Sequence, residues 1–190
     1  MIRIGLDPGH GGRDPGAVYK GRKESDDALA LSLAVVEALR SYGVMVGESR
    51  TTDIFVPLQQ RARLSNERED DYVISIHRNA FEPETAQGVE TYVHPKADPH
   101  AVSLAQRIQN GLRDLGFTDR GVKMANFQVL RETQAPAVLV EVGFIDHTKD
   151  NLRFDTKRER IVEALAGAIL EQAGLSRGVG RVELSLDDAI

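Results

Sequence analysis

Three short apolar runs punctuate the chain, at residues 2–6, 71–77 and 137–144, and each ends in glycine or polar residues. Runs of this length predict strands covered on both faces, as in a parallel sheet. Between them, apolar residues recur at helical spacing. Leu29, Leu33, Val36 and Leu39 form one stripe, Leu104, Ile108, Leu112 and Leu115 a second, and Ile161, Leu165 and Ile169 a third; Gly43, Gly116 and Gly174 follow as stops. Pro57 opens a further helix to about residue 69, as proline suits a first turn. Residues 44–48 read as a strand, 88–93 as a more exposed strand because Val89, Thr91 and Val93 alternate with Glu90 and Tyr92, and 127–130 as a short strand. The charged stretch around Lys149 and Asp150 reads as a loop. The pattern predicts one α/β domain over residues 1–175, with a mostly parallel twisted central sheet flanked by helices on both faces. Periodicity is lost over residues 176–190, which read as a tail or the start of a linker.

Composition narrows the function classes. The chain has 190 residues, 41% of them hydrophobic, enough for one sizeable core. Its net charge of -5 and the lack of a basic run interleaved with aromatics argue against nucleic acid as a partner. The absence of cysteine removes thiol nucleophiles, cysteine zinc knots, iron–sulfur clusters and disulfides. No apolar stretch approaches membrane length, and no charged n-region, apolar h-region or cleavage site precedes the first strand.

Candidate chemistry sits at element ends. The first run stops in Leu6-Asp7-Pro8-Gly9-His10-Gly11-Gly12, and the second ends in His77, so two imidazoles lie at strand carboxyl ends, where open α/β sheets build their sites. Ser25 or Asp26 is a natural N-cap for the first helix, which places Glu24 at its head, either complementing the helix dipole or available as a ligand. Glu141 interrupts an otherwise apolar run, so it must be paired with a buried arginine, protonated or set against a cation. His94, His100 and His147 fall among turn residues and read as loop chemistry. Two imidazoles and a carboxylate are what a catalytic zinc site needs, with a fourth position left for water. The ligands are scattered along the chain, so spacing alone does not establish the site.

Four stretches, in order, resemble the zinc-dependent N-acetylmuramoyl-L-alanine amidases of the Amidase_3 type, which include phage endolysins and sporulation and autolysin enzymes. They are residues 6–12; Leu58-Gln59-Gln60-Arg61 with Ser65-Asn66; Ser75-Ile76-His77-Arg78-Asn79-Ala80; and Pro136-Ala137-Val138-Leu139-Val140-Glu141-Val142-Gly143-Phe144. Val129-Leu130-Arg131-Glu132-Thr133 adds to the match. The resemblance implies a zinc ion held by His10, Glu24 and His77, with Glu37 and Glu48 as rivals to Glu24, and Glu141 as the catalytic carboxylate. It implies cleavage, in bacterial peptidoglycan, of the amide joining the lactyl group of N-acetylmuramic acid to L-alanine of the stem peptide. The family usually has a small residue where this chain has Arg78, which either reaches an acidic group of the substrate or is a rim charge. Asn79 either orients substrate or makes a turn hydrogen bond. The expected route is synthesis in the cytoplasm and action on the wall after lysis or through a holin-type opening, with secretion the expectation for a shortened chain. The tail would then lead into a wall-binding module.

Three alternatives stay open at this stage. One is a related zinc amidohydrolase or carboxypeptidase on a small N-acyl amino acid or peptide, and another is a non-catalytic wall-binding domain. The third is a phosphate binder built on residues 7–16, although that loop lacks the lysine and Ser/Thr of a P-loop.

Overall fold

The computed structural model describes residues 2–175, so the expected tail at 176–190 lies outside the described residues. Six strands form the main sheet: β1 (Arg3–Pro8), β4 (Met45–Glu48), β5 (Tyr72–Asn79), β6 (Val89–Val93), β7 (Asp119–Met124) and β8 (Ala137–Phe144). A two-residue hairpin, β2 (Val18–Tyr19) with β3 (Arg22–Lys23), leads into the first helix. The helices are α1 (Glu24–Ser41), α2 (Leu58–Arg68), α3 (Pro99–Asp114), α4 (Gln128–Glu132), α5 (Thr148–Thr156) and α6 (Arg158–Gln172).

The strand order is β4-β1-β5-β8-β6-β7. Strands β4, β1, β5 and β8 are parallel, while β6 runs antiparallel to β8 and pairs in parallel with β7. Successive side chains of a strand point to opposite faces. On one face, Ile4, Leu6, Ile74, Ile76, Val138 and Val140 pack with Leu31, Leu39, Leu104, Ile108, Leu165 and Ile169 from α1, α3 and α6. The other face is thinner. Val73, Ala137 and Leu139 meet Val129 and Leu130 of α4, which packs on α2. Helices therefore cover both faces as expected, and the thinner one leaves room for a site.

Several local expectations are corrected. In α1 the expected Val36 and Leu39 are buried, together with Glu24, Ala28, Leu31 and Val35, whereas Leu33 is exposed. The helix begins two residues earlier than a Ser25 cap would place it, and the Glu24 amide bonds to the Ala17 carbonyl just ahead of the hairpin. Strand β6 is buried rather than exposed, since α3 covers one face and the edge strand β7 covers its outer edge. Residues 128–132 form helix α4, not a strand. The charged stretch after His147 is helix α5, whose Asp150 is fully buried and accepts from the Phe144 and Gly88 amides.

Candidate metal centre

Parallel pairing brings the carboxyl ends of β1, β5 and β8 to one edge of the sheet. His10 lies two residues beyond β1, His77 is on β5, and Glu141 stands opposite His77 in register on β8, hence on the same face. Glu24, the first residue of α1, enters from the helix. Its Oε1 lies 2.8 Å from His77 Nδ1 and 3.1 Å from His10 Nε2. One ligand atom from each of His10, Glu24 and His77 falls within 4.8 Å of the others. The rivals to Glu24 are elsewhere, as Glu37 is exposed on α1 and Glu48 pairs with Arg40.

The loop carrying His10 is held from all sides. His10 has a positive φ of 57°, a conformation that costs a non-glycine residue energy and must be imposed by its surroundings. Two guanidinium groups impose it. Arg61 of α2 donates to the Pro8 and His10 carbonyls at 2.6 Å each, and Arg50 donates to the Pro8 and Gly9 carbonyls at 3.1 and 2.7 Å. Arg61 also donates at 2.8 Å to buried Asp7, which accepts from the hydroxyls of Ser49 and Ser75. Burial pushes the Asp7 carboxyl up, but Arg61 and the two hydroxyls outweigh it and hold it below its ordinary value.

The candidate ligands are oriented individually. Asp14 Oδ2 lies 2.9 Å from His10 Nδ1, so a proton held there leaves Nε2 facing Glu24. Glu24 accepts from the Ala17 and Arg78 amides at 2.9 and 3.1 Å. Two glycines permit the close packing. A Cβ on Gly9 would lie 2.4 Å from the His77 ring, and one on Gly16 would lie 2.6 Å from Glu24 Oε2.

Electrostatics follow from this crowding. Burial pulls the His10 pKa down, but hydrogen bonds and charge from Glu24 and Asp14 raise it to about 9. His77 is raised in the same way, with burial opposed by Glu24 and Glu141. Burial would raise Glu24, yet its bonds to the two imidazoles hold it well below the usual carboxylate range. Glu141 behaves in the opposite sense. Burial raises it to about 7, aided by the charges of Glu24 and Glu90 and opposed by His77 and His10.

A cavity of about 470 Å³ opens over these groups, lined by Asp7, His10, His77 and Glu141 and walled by Phe55, Leu58, Phe127 and Leu139. Glu141 Oε2 is buried beside it without a hydrogen-bond partner among the described residues, an arrangement that costs free energy unless something else faces it. Two imidazole nitrogens and a carboxylate oxygen, bordering a cavity, match the donor set of a zinc site that keeps an open position. The residues fit such an ion.

One expected substrate contact is corrected. Arg78 is 1% exposed and adjoins His77 in the strand, so it points to the opposite face. There it bonds Asp27 at 2.5 Å and Asn151 at 2.7 Å and stacks 4.0 Å over Phe154, tying α1 and α5 together behind the site. It is neither a rim charge nor within reach of the cavity. The Asn79 side chain is spent on Glu90 and on the Ala80 amide, in keeping with the turn hydrogen bond. His94 is half-buried in the turn before α3 and His100 is exposed in that helix's first turn rather than in a loop, while His147 is the buried N-cap position of α5. Asp14 and Arg50 escaped the sequence reading. Asp14, a carboxylate four residues after a candidate ligand in a glycine-rich loop, carried a usable signal; Arg50 carried none beyond its place at a strand's end.

Comparison with known proteins agrees with this geometry. Residues 4–171 match the family model described as N-acetylmuramoyl-L-alanine amidase. The sporulation-specific N-acetylmuramoyl-L-alanine amidase of Bacillus subtilis (strain 168) is 38% identical over 159 residues, 82% of this chain. This chain spans only 61% of that relative's length. The endolysin of Bacillus phage SPP1 is 36% identical over 186 residues, covering 93% of this chain and 68% of the endolysin. Among solved structures, an N-acetylmuramoyl-L-alanine amidase from Clostridium difficile 630 superposes with a TM-score of 0.87 at 33% identity, covering 93% of this chain and 98% of that one. Taken with the His10–Glu24–His77 cluster, these matches lead to one assignment: the chain belongs to the N-acetylmuramoyl-L-alanine amidase family.

Proposed function

We propose that the chain hydrolyses the amide between the lactyl group of N-acetylmuramic acid and L-alanine of the peptidoglycan stem peptide, with one zinc ion held by His10, Glu24 and His77. The observation that carries this reading is the buried Glu141 Oε2, without a hydrogen-bond partner among the described residues, beside a cluster of two histidines and a glutamate. Zinc, when bound, supplies a Lewis acid that polarises the scissile carbonyl and lowers the pKa of water toward about 7. Glu141 accepts a proton from the water that attacks the carbonyl carbon. It returns that proton to the amide nitrogen as the C–N bond breaks, leaving a lactyl carboxylate and the free amine of L-alanine. Its raised pKa suits both directions of transfer near neutral pH. Arg50 and Arg61 keep the loop of His10 in place, and Phe55, Phe127 and Leu139 line the cavity with apolar surface.

Cell-wall action after lysis or a holin-type release, aided by a wall-binding module, belongs to the same proposal. Its test is the product formed from purified wall. New amino groups without new reducing sugar are expected, and reducing sugar without free amine would mean glycosidase activity and overturn the reading.

A further inference from the structure

Beyond Glu141, the cavity face of the sheet continues into a polar row that the reaction above does not use. Glu90 on β6 stands directly opposite Glu141 on β8, so two carboxylates adjoin on one face. Glu90 is 4% exposed in its side chain, and both oxygens are occupied. Oε1 accepts from Asn79 at 2.5 Å and Tyr92 at 2.8 Å; Oε2 accepts from Arg120 Nε at 2.9 Å and from Lys123 Nζ. Two cations thus serve Glu90, a carboxylate already satisfied by two neutral donors, so one positive charge is in excess over Glu90 itself. Neither cation is enclosed, as their side chains are 35% and 39% exposed. The two Nη groups of Arg120 make no hydrogen bond among the described residues, while its guanidinium rests 4.9 Å over the Phe144 ring.

Aromatic surface links these cations to the cavity. Lys123 Nζ lies 6.0 Å from the Tyr92 ring centre, and Tyr92 meets Phe127 edge-to-face at 5.2 Å. Phe127 is itself a cavity wall. We infer that Arg120 and Lys123 form a subsite for a free carboxylate on the peptide side of the substrate, an inference that rests on the peptidoglycan amidase reading.

The chemistry of the substrate selects that side. The lactyl carboxyl is consumed in the scissile amide, and the glycan otherwise offers hydroxyls and acetamides, so a nearby carboxylate belongs to the peptide. Strand β7 is two strands from β8, about 9 to 10 Å at the usual strand spacing, and an extended peptide covers that in about three residues. The second residue of the stem, a γ-linked D-glutamate with an α-carboxylate that can be free or amidated, lies within this range. The leaving peptide would therefore cross β6 toward β7.

The test compares N-acetylmuramoyl-L-alanyl-D-isoglutamate with its α-amide, using the zinc-loaded wild-type chain, Lys123→Gln, Arg120→Gln and Lys123→Arg. The wild type should favour the acid, and each glutamine variant should lower the acid-to-amide ratio of kcat/KM by about tenfold, chiefly through KM. Lys123→Arg should restore most of the ratio. Thermal unfolding of each variant reports any general loss of structure, which would depress both substrates and leave the ratio intact. Equal losses on the two substrates, or a wild type indifferent to the carboxylate, would overturn the subsite while leaving the amidase reading standing. A wild type that releases amine from neither compound nor from wall would refute both.

Discussion

Replacing Glu141 by glutamine keeps size and shape while removing the charge and the proton. In the metal-free protein the folded pKa of Glu141 is about 7, above its ordinary value of 4.5. The folded state therefore holds an extra proton between those values, and the cost of ionising the buried group is absent below the lower one and complete above the higher. At 1.36 kcal/mol per pKa unit the cost is about 3 kcal/mol, and allowing for the side chain's access to the cavity halves it to about 1.5 kcal/mol. For a chain of this size that is a Tm difference of about 3–6 °C. Glu141→Gln should thus melt above the wild type at pH 8 with chelator present, and the gap should close as pH falls to 4.5. In the zinc-loaded protein the same variant should keep its metal, measured by elemental analysis, yet lose about 10²- to 10⁴-fold in amine release, the range for a lost general acid–base. Wild-type turnover would refute the proton-shuttling role, and a pH-independent melting gap would refute the buried ionisation.

Three further outcomes test the surroundings of the cluster. His10→Ala and His77→Ala should each abolish stoichiometric zinc, read by elemental analysis after dialysis, whereas Asp14→Ala should retain the ion with affinity weakened about 10- to 100-fold, because it removes only the partner that orients His10. Since the His10 pKa is raised to about 9, zinc binding at pH 7.5 should release protons and tighten as pH rises toward that value, seen as a buffer-dependent heat in titration calorimetry. Arg61→Ala strips the charge partner from buried Asp7 and two carbonyl contacts from the His10 loop, so it should cost about 3 kcal/mol, roughly 6–12 °C in Tm.

Much of the fold was legible in the chain because a strand buried on both faces needs a continuous apolar run, and β1, β5 and β8 have one. Strand β7, with sequence Asp-Arg-Gly-Val-Lys-Met, was not legible; it lies at the sheet's edge, where pairing with β6 rather than burial holds it. Helix α5 was missed for a related reason, since its buried face depends on Phe154 meeting Arg78 from another part of the chain.

The sequence by itself determined the α/β architecture, the three core strands and the candidates His10, Glu24, His77 and Glu141, because apolar periodicity and misplaced polar residues are local signals. Tertiary structure alone decided which of them meet. Parallel register set His77 beside Glu141, and the start of α1 carried Glu24 to within 2.8 Å of His77. The alternation of a strand turned Arg78 away from the cavity, and pairing across β8, β6 and β7 gathered Glu90, Arg120 and Lys123 on the cavity's face. Contacts between residues distant in the chain are set by sheet order and register, which no local pattern encodes.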